Sequence, residues 1–261
     1  MESESITQRG SNARLASPKE NPEQGRREAL VRAIPERYSP VRHLSFTVGT
    51  GLAVLALGLA YIEDLRLVEL LVVPAMFIVG NATEWWAHKW LLHKRIKPFH
   101  ILYDQHTPNH HVLYRYDTMG VESYRELHLV LIPPFGVGLI TLFVAPIAFV
   151  FGFGFGANAG WLVLISASLY VVTYELLHLA YHLPKDHPIG RNRVVSFLRE
   201  HHRRHHEPRL MNRKNYNVIV PLWDVIMRTR ISDEEFAELR GADRNDLEAP
   251  ASSATARSSV V

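Results

Sequence analysis

The residues of this sequence best suited to chemistry are histidines, which gather in four clusters. Fourteen of the 15 histidines lie between His88 and His206. The clustered ones are His88-x-x-x-x-His93, His106-x-x-x-His110-His111, His178-x-x-x-His182 and His202-x-x-His205-His206. Imidazole binds iron, zinc, copper and nickel alike, so the spacing predicts metal binding without naming the metal. Ten ligands exceed the roughly six positions of octahedral coordination, and we therefore predict two ions with about five nitrogens each.

The two later clusters have the spacing of ligands that share a helix face. His178 and His182 lie one helical turn apart, so both rings can point at one ion. His202 and His205 also share a face, and His206 lies beside them. These clusters predict ligand pairs carried by helices.

The first cluster does not fit one face of an ideal helix. His88 and His93 lie ~140° apart around the axis. They can share a centre only if the helix ends between them. Otherwise the two histidines serve different ions. His201 is a candidate alternate ligand in place of His202. The isolated histidines, interpreted as solvated surface residues, are His43, His100, His128 and His187.

Carboxylates near the clusters are candidate hydrogen-bond acceptors for the ring nitrogens that do not bind metal. Glu84 lies one turn before His88, and Glu175 lies on the helix face of His178 and His182. Further candidates are Asp104, Asp117 and Asp224. We find no serine triad or acid–base dyad that would support hydrolysis.

The composition restricts both the ligands and the partners. The 261 residues contain no cysteine, which excludes disulfides and thiolate metal sites. The chain is 47% hydrophobic and has a formal net charge of +3. Its basic residues lie in tails and loops beside apolar runs, so they indicate a membrane surface and not a nucleic acid.

Long apolar runs predict the elements that must position the histidines, although the second of them contains Glu69 near its start. His43–Ile62 and Leu67–Trp86 each have the length of a helix that spans ~30 Å of hydrocarbon. Leu129–Tyr174 has no charged residue and is roughly twice that length, so Gly152–Gly160 is predicted to be a turn. We predict an all-α membrane protein with about four transmembrane helices in two hairpins. A cytoplasmic helical cap would carry the histidine-rich di-metal site.

The distribution of basic residues predicts the orientation in the membrane. Lysine and arginine are frequent in the N-terminal tail, in the 89–125 loop and after the fourth span. The glycine-rich turn has no lysine or arginine, and the turn between the first two spans has only Arg66. Both termini and both histidine groups of this integral membrane protein are therefore expected on the cytoplasmic side.

The ends of the chain are polar and are predicted to be largely disordered. A short helix is expected over 28–34. Near the C-terminus, a capping box beginning at Ser232 predicts a helix that Gly241 would end. The predicted domains are a disordered N-terminal tail (1–39), a membrane domain (40–231), and a short helix with a disordered C-terminal tail (232–261).

The clusters and their surroundings resemble the fatty acid hydroxylase / sterol desaturase superfamily of membrane di-iron oxygenases. The resemblance runs from about Gly80 to Thr229. It is carried by GNATEWWAHKWLLH, YDQHTPNHHVLYRYD, ELHLVLIPP, YELLHLAYH and HHRRHHEPRLMNRKNYNVIVPLWDVIMRT. It assigns the family's metal ligands to His88, His93, His106, His110, His111, His178, His182, His202, His205 and His206.

Two departures from the family pattern are visible. Three residues separate His106 from His110, where the family often has two, so Thr107–Asn109 must bulge. The family frequently has a glycine shortly before its Pro-Leu-Trp-Asp motif, where this chain has Asn217–Val220.

The resemblance implies a chemistry and its partners. Two iron ions would reduce O2 and oxidise an unactivated C–H bond, giving an alcohol or an alkene. The expected substrate is a fatty-acyl lipid that enters from the bilayer. Electrons are expected from a separate donor, either a b-type cytochrome or a ferredoxin with its reductase.

Two alternatives remain open on the sequence. The same scaffold could modify a sterol or a carotenoid. A non-enzymatic, histidine-rich membrane metal transporter is the second alternative. Transporters tend to place ionisable residues near mid-membrane, whereas these histidines gather at one end of the spans, which favours the enzyme.

Overall fold

A computed structural model describes residues 22–184 and 186–248, which form helices and no strands. The α-helices in these ranges are α1 (Pro22–Ala33), α2 (Pro40–Tyr61), α3 (Val72–Ala87), α4 (His100–Gln105), α5 (His111–Leu113), α6 (Leu127–Val130), α7 (Pro134–Phe155), α8 (Ala157–His182), α9 (Arg193–His205), α10 (Leu222–Ile226) and α11 (Asp233–Glu248). The shorter segments are 3-10 turns at Leu67–Leu71, Tyr124–Glu126 and Pro188–Arg191, and π-helical turns at His88–Leu92 and His106–His110. The predicted all-α fold class is confirmed.

Four helical segments are long and apolar enough to cross a membrane, as the sequence predicts. They are Pro40–Tyr61, Leu67–Leu92, Tyr124–Phe155 and Ala157–His182. Large apolar side chains on these segments are exposed, such as Phe143 (57%) and Phe153 (89%). Apolar surface of this extent is expected where the surroundings are the acyl chains of a bilayer.

Helix α8 packs against α7, α2 and α3. Its close approach to α2 depends on glycines. A Cβ on Gly51 would lie 2.5 Å from Val172 Cγ2, and a Cβ on Gly58 would lie 2.4 Å from Ile165 Cδ1. The helices α7 and α8 form a hairpin, whereas α2 and α3 each pack mainly on α8.

Hydrogen bonds between α3 and α8 align the two helices that lead into the histidines. Tyr170 of α8 accepts from the Asn81 side chain at 3.2 Å and donates to Glu84. These contacts lie one to two turns before His88 on α3 and about two turns before His178 on α8. The histidine-bearing ends of both helices therefore lie at the same end of the bundle.

The connection between α7 and α8 is shorter than the sequence predicts. A turn over residues 152–160 is expected, but only Gly156 separates the two helices. Gly156 has φ 102°, which glycine adopts readily. Gly160 instead lets the helices touch, since a Cβ there would lie 2.7 Å from the Ala148 carbonyl oxygen. Gly156 thus serves chain reversal, and Gly160 serves helix contact.

The predicted disorder of residues 1–39 is wrong for residues 22–39, which form α1 and its link to α2. The helix is also longer than the one predicted over 28–34. Arg27 explains why a polar segment is ordered: it is buried and pairs with Glu126 at 2.7 Å. The rest of the predicted tail lies outside the described residues.

A capping box opens α11, as the sequence predicts. The Ser232 N–H donates to Glu235 Oε2 at 3.0 Å, and the Glu235 N–H donates to Ser232 Oγ at 3.1 Å. The prediction that Gly241 ends the helix is wrong, because α11 continues to Glu248. An interior glycine costs about 1 kcal/mol relative to alanine but keeps its backbone hydrogen bonds. The predicted tail 249–261 lies outside the described residues.

Replacing Gly160 by alanine is expected to destabilise the bundle. Overpacking costs about 1–3 kcal/mol, which outweighs the helix propensity of about 1 kcal/mol that alanine gains. The measurement is thermal unfolding of the detergent-solubilised protein. Gly154→Ala is the matched control, because nothing lies within 4 Å of a Cβ at that position. Equal unfolding temperatures for the two variants would contradict the close helix contact.

Candidate metal centre

The ten clustered histidines lie together in two groups of five. The first histidine group is His88, His93, His106, His111 and His205, and the second histidine group is His110, His178, His182, His202 and His206. Within each group, the candidate ligand nitrogens all lie within 4.8 Å of one another. His182, His202 and His205 have no exposed surface. The number of nitrogens per group is the one expected from the sequence, and the membership of each group comes from the structure.

The two groups lie side by side. Neighbouring residues His110 and His111 point their rings into different groups, and so do His205 and His206. The ring centroids of the first pair are 5.5 Å apart with planes at 87°, and those of the second pair are 5.9 Å apart at 89°. Each adjacent pair therefore joins the two groups through the backbone.

A π-helical turn explains how His88 and His93 enter the same group. The chain continues α3 as a π-helix over His88–Leu92. A π-turn closes its hydrogen bond between residues five apart, so residues at this spacing come close to one face. The two rings are stacked, with centroids 5.1 Å apart and planes at 21°. The helical segment ends at Leu92, between the two histidines, which is one of the two arrangements expected from the sequence.

A second π-helical turn, His106–His110, confirms the predicted bulge between these two histidines. The extra residue sends the rings of His106 and His111 into the first histidine group and that of His110 into the second. His106 Nε2 lies 2.9 Å from His111 Nε2 and 3.0 Å from His88 Nε2. The bulge therefore distributes one cluster over both groups.

Thr107 is a site residue that the sequence reasoning did not identify. Its hydroxyl donates to the Leu92 carbonyl at 2.7 Å, so it accepts from His93 Nδ1 at 3.2 Å. The signal available for it was its position inside the bulge between His106 and His110.

Backbone carbonyls orient half of the rings. Nδ1 of five histidines lies at hydrogen-bond distance from a carbonyl oxygen, which makes Nδ1 the protonated nitrogen. The pairs are His88 with Tyr216, His110 with Leu129, His182 with Met119, His205 with Lys214 and His206 with Tyr114. The Nε2 lone pairs of these rings therefore point inward.

The inward nitrogens fit metal ions better than they fit each other. His93 Nε2 and His205 Nε2 lie 3.0 Å apart, and both rings carry their proton on Nδ1, so no hydrogen joins them. Metal–nitrogen bonds of about 2.1 Å at right angles place two ligands about 3.0 Å apart. In the second histidine group, Nε2 of His110, His178 and His182 is buried without a hydrogen-bond partner among the described residues. Each group of nitrogens could therefore hold a metal ion.

Burial keeps the rings outside the membrane spans neutral. It lowers the pKa of His110 to about 4. The pKa of His205 lies well below its usual range because of burial and the nearby rings of His88 and His93. The neutral imidazole is the form that binds metal, so the ligands are available at neutral pH.

The sequence predicts that Glu84 and Asp224 accept hydrogen bonds from the ligand rings. Within the described residues they instead accept from backbone N–H groups and do not contact the ten rings. Glu84 accepts from the Val218 N–H. Asp224 accepts from the Tyr216 N–H at 2.9 Å. Because the Tyr216 carbonyl accepts from His88 Nδ1, Asp224 supports this ligand through the backbone of Tyr216.

The other predicted acceptors also bond elsewhere in the described part of the chain. Glu175 accepts from the Ile132 N–H at 3.0 Å. Asp117 and Asp104 form ion pairs with arginines, at 2.9 Å and 2.7 Å. Backbone carbonyls reach the rings without adding buried charge, which is the physical reason that they replace carboxylates here.

Two further histidine predictions need correction. His201 lies outside both groups, and its Nε2 pairs with Asp224 Oδ2 at 3.1 Å, so it does not substitute for a neighbour. His43 is buried at 7% exposure and not solvated. Its ring lies between the Tyr38 hydroxyl at 3.1 Å and the Ile132 carbonyl at 2.9 Å.

Comparisons with known proteins address the same stretch of chain. A model of the family described as fatty acid hydroxylase matches residues 73–229. This range is more than half of the chain and contains all ten histidines with the carbonyls that orient them. No curated protein and no solved structure matches the chain. The chain belongs to the fatty acid hydroxylase family.

Proposed function

We propose that the protein is a membrane-bound, non-haem di-iron oxygenase of lipids. It would use O2 and external electrons to hydroxylate or desaturate a C–H bond, with a fatty-acyl lipid as the expected substrate. The observation that carries the proposal is the pair of adjacent five-imidazole groups beside four apolar helices. Membership of the fatty acid hydroxylase family supports an oxidoreductase of this class.

The imidazole ligands and the buried side chains packed around them suit this chemistry. An all-imidazole set suits iron among other metals. Iron held by the two groups would supply the reduction of O2 and the oxidation of the C–H bond. The chain itself fixes the rings and excludes water: Tyr114, Tyr181 and Tyr216 have no exposed surface and pack against ligand rings.

A groove between α2, α7 and α8 supports an apolar substrate. It is lined mostly by aliphatic side chains such as Val54 and Leu164. Thr47, which also lines it, donates to Glu175 Oε1 at 3.3 Å. Glu175 precedes His178, a ligand of the second histidine group, by three residues, which is about one helical turn. A lipid chain in the groove would reach the ligands from within the bilayer.

Orientation in the membrane is part of the proposal. Both termini and both histidine groups are placed on the cytoplasmic side, as the basic loops indicate. Because the chain has no natural cysteine, single cysteines report sidedness directly. A membrane-impermeant maleimide should label Leu65→Cys in intact cells, and Arg213→Cys only after permeabilisation. The reverse pattern would contradict this orientation.

Counting iron tests the proposed centre. The wild-type protein, reconstituted with ferrous iron in detergent, is expected to hold about two ions per chain, one per group. His178→Ala and His205→Ala remove one ligand from different groups, so each should lose about one ion. His187→Ala, outside both groups, is the control and should keep two. Unchanged iron content in both ligand variants would contradict iron binding by the two histidine groups.

Filling the groove is expected to block the reaction without disturbing the metal. Ala167 lines the groove, and Ala167→Phe should lower product yield about tenfold or more because the substrate is displaced from the ligands. Leu169→Phe is the matched control on the same helix, since Leu169 is 40% exposed toward the surroundings. Mass spectrometry of lipid extracts measures the product, and iron content is measured in parallel. Equal product yields from the two variants would contradict substrate binding in the groove.

The same lipid extracts separate the alternatives. New hydroxyl groups or double bonds in fatty-acyl lipids support the proposal, whereas changed sterols or carotenoids support the other substrate classes. Metal uptake by vesicles without O2 consumption would instead support a transporter. The enclosure of the ligands at one end of the spans favours catalysis over transport.

A further inference from the structure

Arg27 is a buried cation on a helix outside the family-matched residues. It is 7% exposed and lies on α1. Its Nη2 donates to Glu126 Oε2 at 2.7 Å and to the Gly120 carbonyl at 2.9 Å, and its Nη1 donates to Glu122 Oε1 at 2.7 Å. One guanidinium thus ties the N-terminal helix to three points of the 114–126 segment.

The 114–126 segment orients the second histidine group. The Tyr114 carbonyl accepts from His206 Nδ1, and the Met119 carbonyl accepts from His182 Nδ1 at 2.9 Å. The Val121 N–H donates to the His182 carbonyl at 2.9 Å. Gly120, which Arg27 contacts directly, lies between these last two positions. Displacement of this segment would therefore turn the ligand rings.

The segment has little regular structure of its own, and its middle is held from the other side by Arg203, which donates to the Tyr116 carbonyl at 3.2 Å, and by Arg240, which pairs with Asp117 at 2.9 Å. Residues 115–123 contain no helix, and only its last residues, Tyr124–Glu126, form a 3-10 turn. Glu126 is 2% exposed and accepts from the Glu122 N–H at 3.2 Å and from the Tyr114 hydroxyl at 3.3 Å. A buried carboxylate that loses its cation is strongly unfavourable, so the segment would have to rearrange without Arg27.

The first histidine group has a different support. His88 and His205 bond to the carbonyls of Tyr216 and Lys214. This stretch is held by Asp224, which accepts from the Tyr216 N–H. The two groups are thus supported by separate carboxylates, and Arg27 bonds to Glu126, the one that supports the second group.

We propose that Arg27 is a positioning residue for the second histidine group. By holding the 114–126 segment, it keeps the Tyr114 and Met119 carbonyls where they orient His206 and His182, and it thereby sets the affinity for one of the two ions. This inference rests on metal binding in the proposed function. It gives a role in the metal centre to a helix that precedes the family-matched residues.

Arg27→Met tests the inference, with Arg26→Met as the control, because Arg26 is exposed on the same helix. The full chain in detergent is loaded with ferrous iron without oxygen, and bound iron is measured against a competing chelator. Arg27→Met is expected to bind the second ion about tenfold more weakly or worse, as for other outer contacts of metal ligands. Arg26→Met should retain two ions.

Double variants identify which ion depends on Arg27. Arg27→Met should lower iron further in a His93→Ala background, which lacks a ligand of the first group. It should change little in a His182→Ala background, where the second group is already impaired. Equal losses in both backgrounds, or two tightly held ions in Arg27→Met, would overturn the inference.

A charge-matched variant separates positioning from folding. Arg27→Met with Glu126→Gln removes both buried charges, so it leaves no unpaired carboxylate to unfold the segment. Thermal unfolding of the metal-free protein reports folding. Native-like unfolding with a weakened second ion supports positioning, whereas native-like unfolding with both ions at wild-type affinity overturns it. A wild-type protein that binds no iron would overturn the proposed function and this inference with it.

Discussion

The packing of ten imidazoles around one interior depends on hydrogen bonds that point away from it. Where Nδ1 donates outward to a carbonyl, Nε2 is left with its lone pair facing the other rings. The carbonyls come from several separate segments of chain, so those segments must be placed as accurately as the ligands. This requirement explains the buried carboxylates Glu126 and Asp224 and the half-buried Glu84, which bond to backbone N–H groups of the same segments.

The packing of the apolar helices also contributes to the accurate placement of the ligands. Helix α8 touches α2, α3 and α7 and ends in two ligands, so its position relative to α3 decides whether the rings meet. Glycines at the contacts with α2 and α7 let backbones approach closely, and Tyr170 links α8 to α3 by hydrogen bonds. Tight packing among the spans thus fixes the ends from which the ligands project.

The sequence predicts the ten histidines and four spans because their signals are local. Ligand spacing and charge-free runs can be recognised without knowing the fold. The route by which His88 and His93 share a group depends on a π-turn, which spacing on an ideal helix does not predict. Carbonyl acceptors have no sequence signature, since every residue carries one. The order of α1 depends on a partner of Arg27 that lies 99 residues away.

Adjacent ligands that serve different groups have a consequence for how the centre responds to its surroundings. Consecutive Cα atoms across a trans peptide are about 3.8 Å apart, and this link occurs at His110–His111 and again at His205–His206. The spacing of the two histidine groups is therefore limited by covalent geometry. Tilting of the spans in a thicker or thinner bilayer would leave this spacing nearly constant, so the relative position of the two groups would depend little on lipid composition.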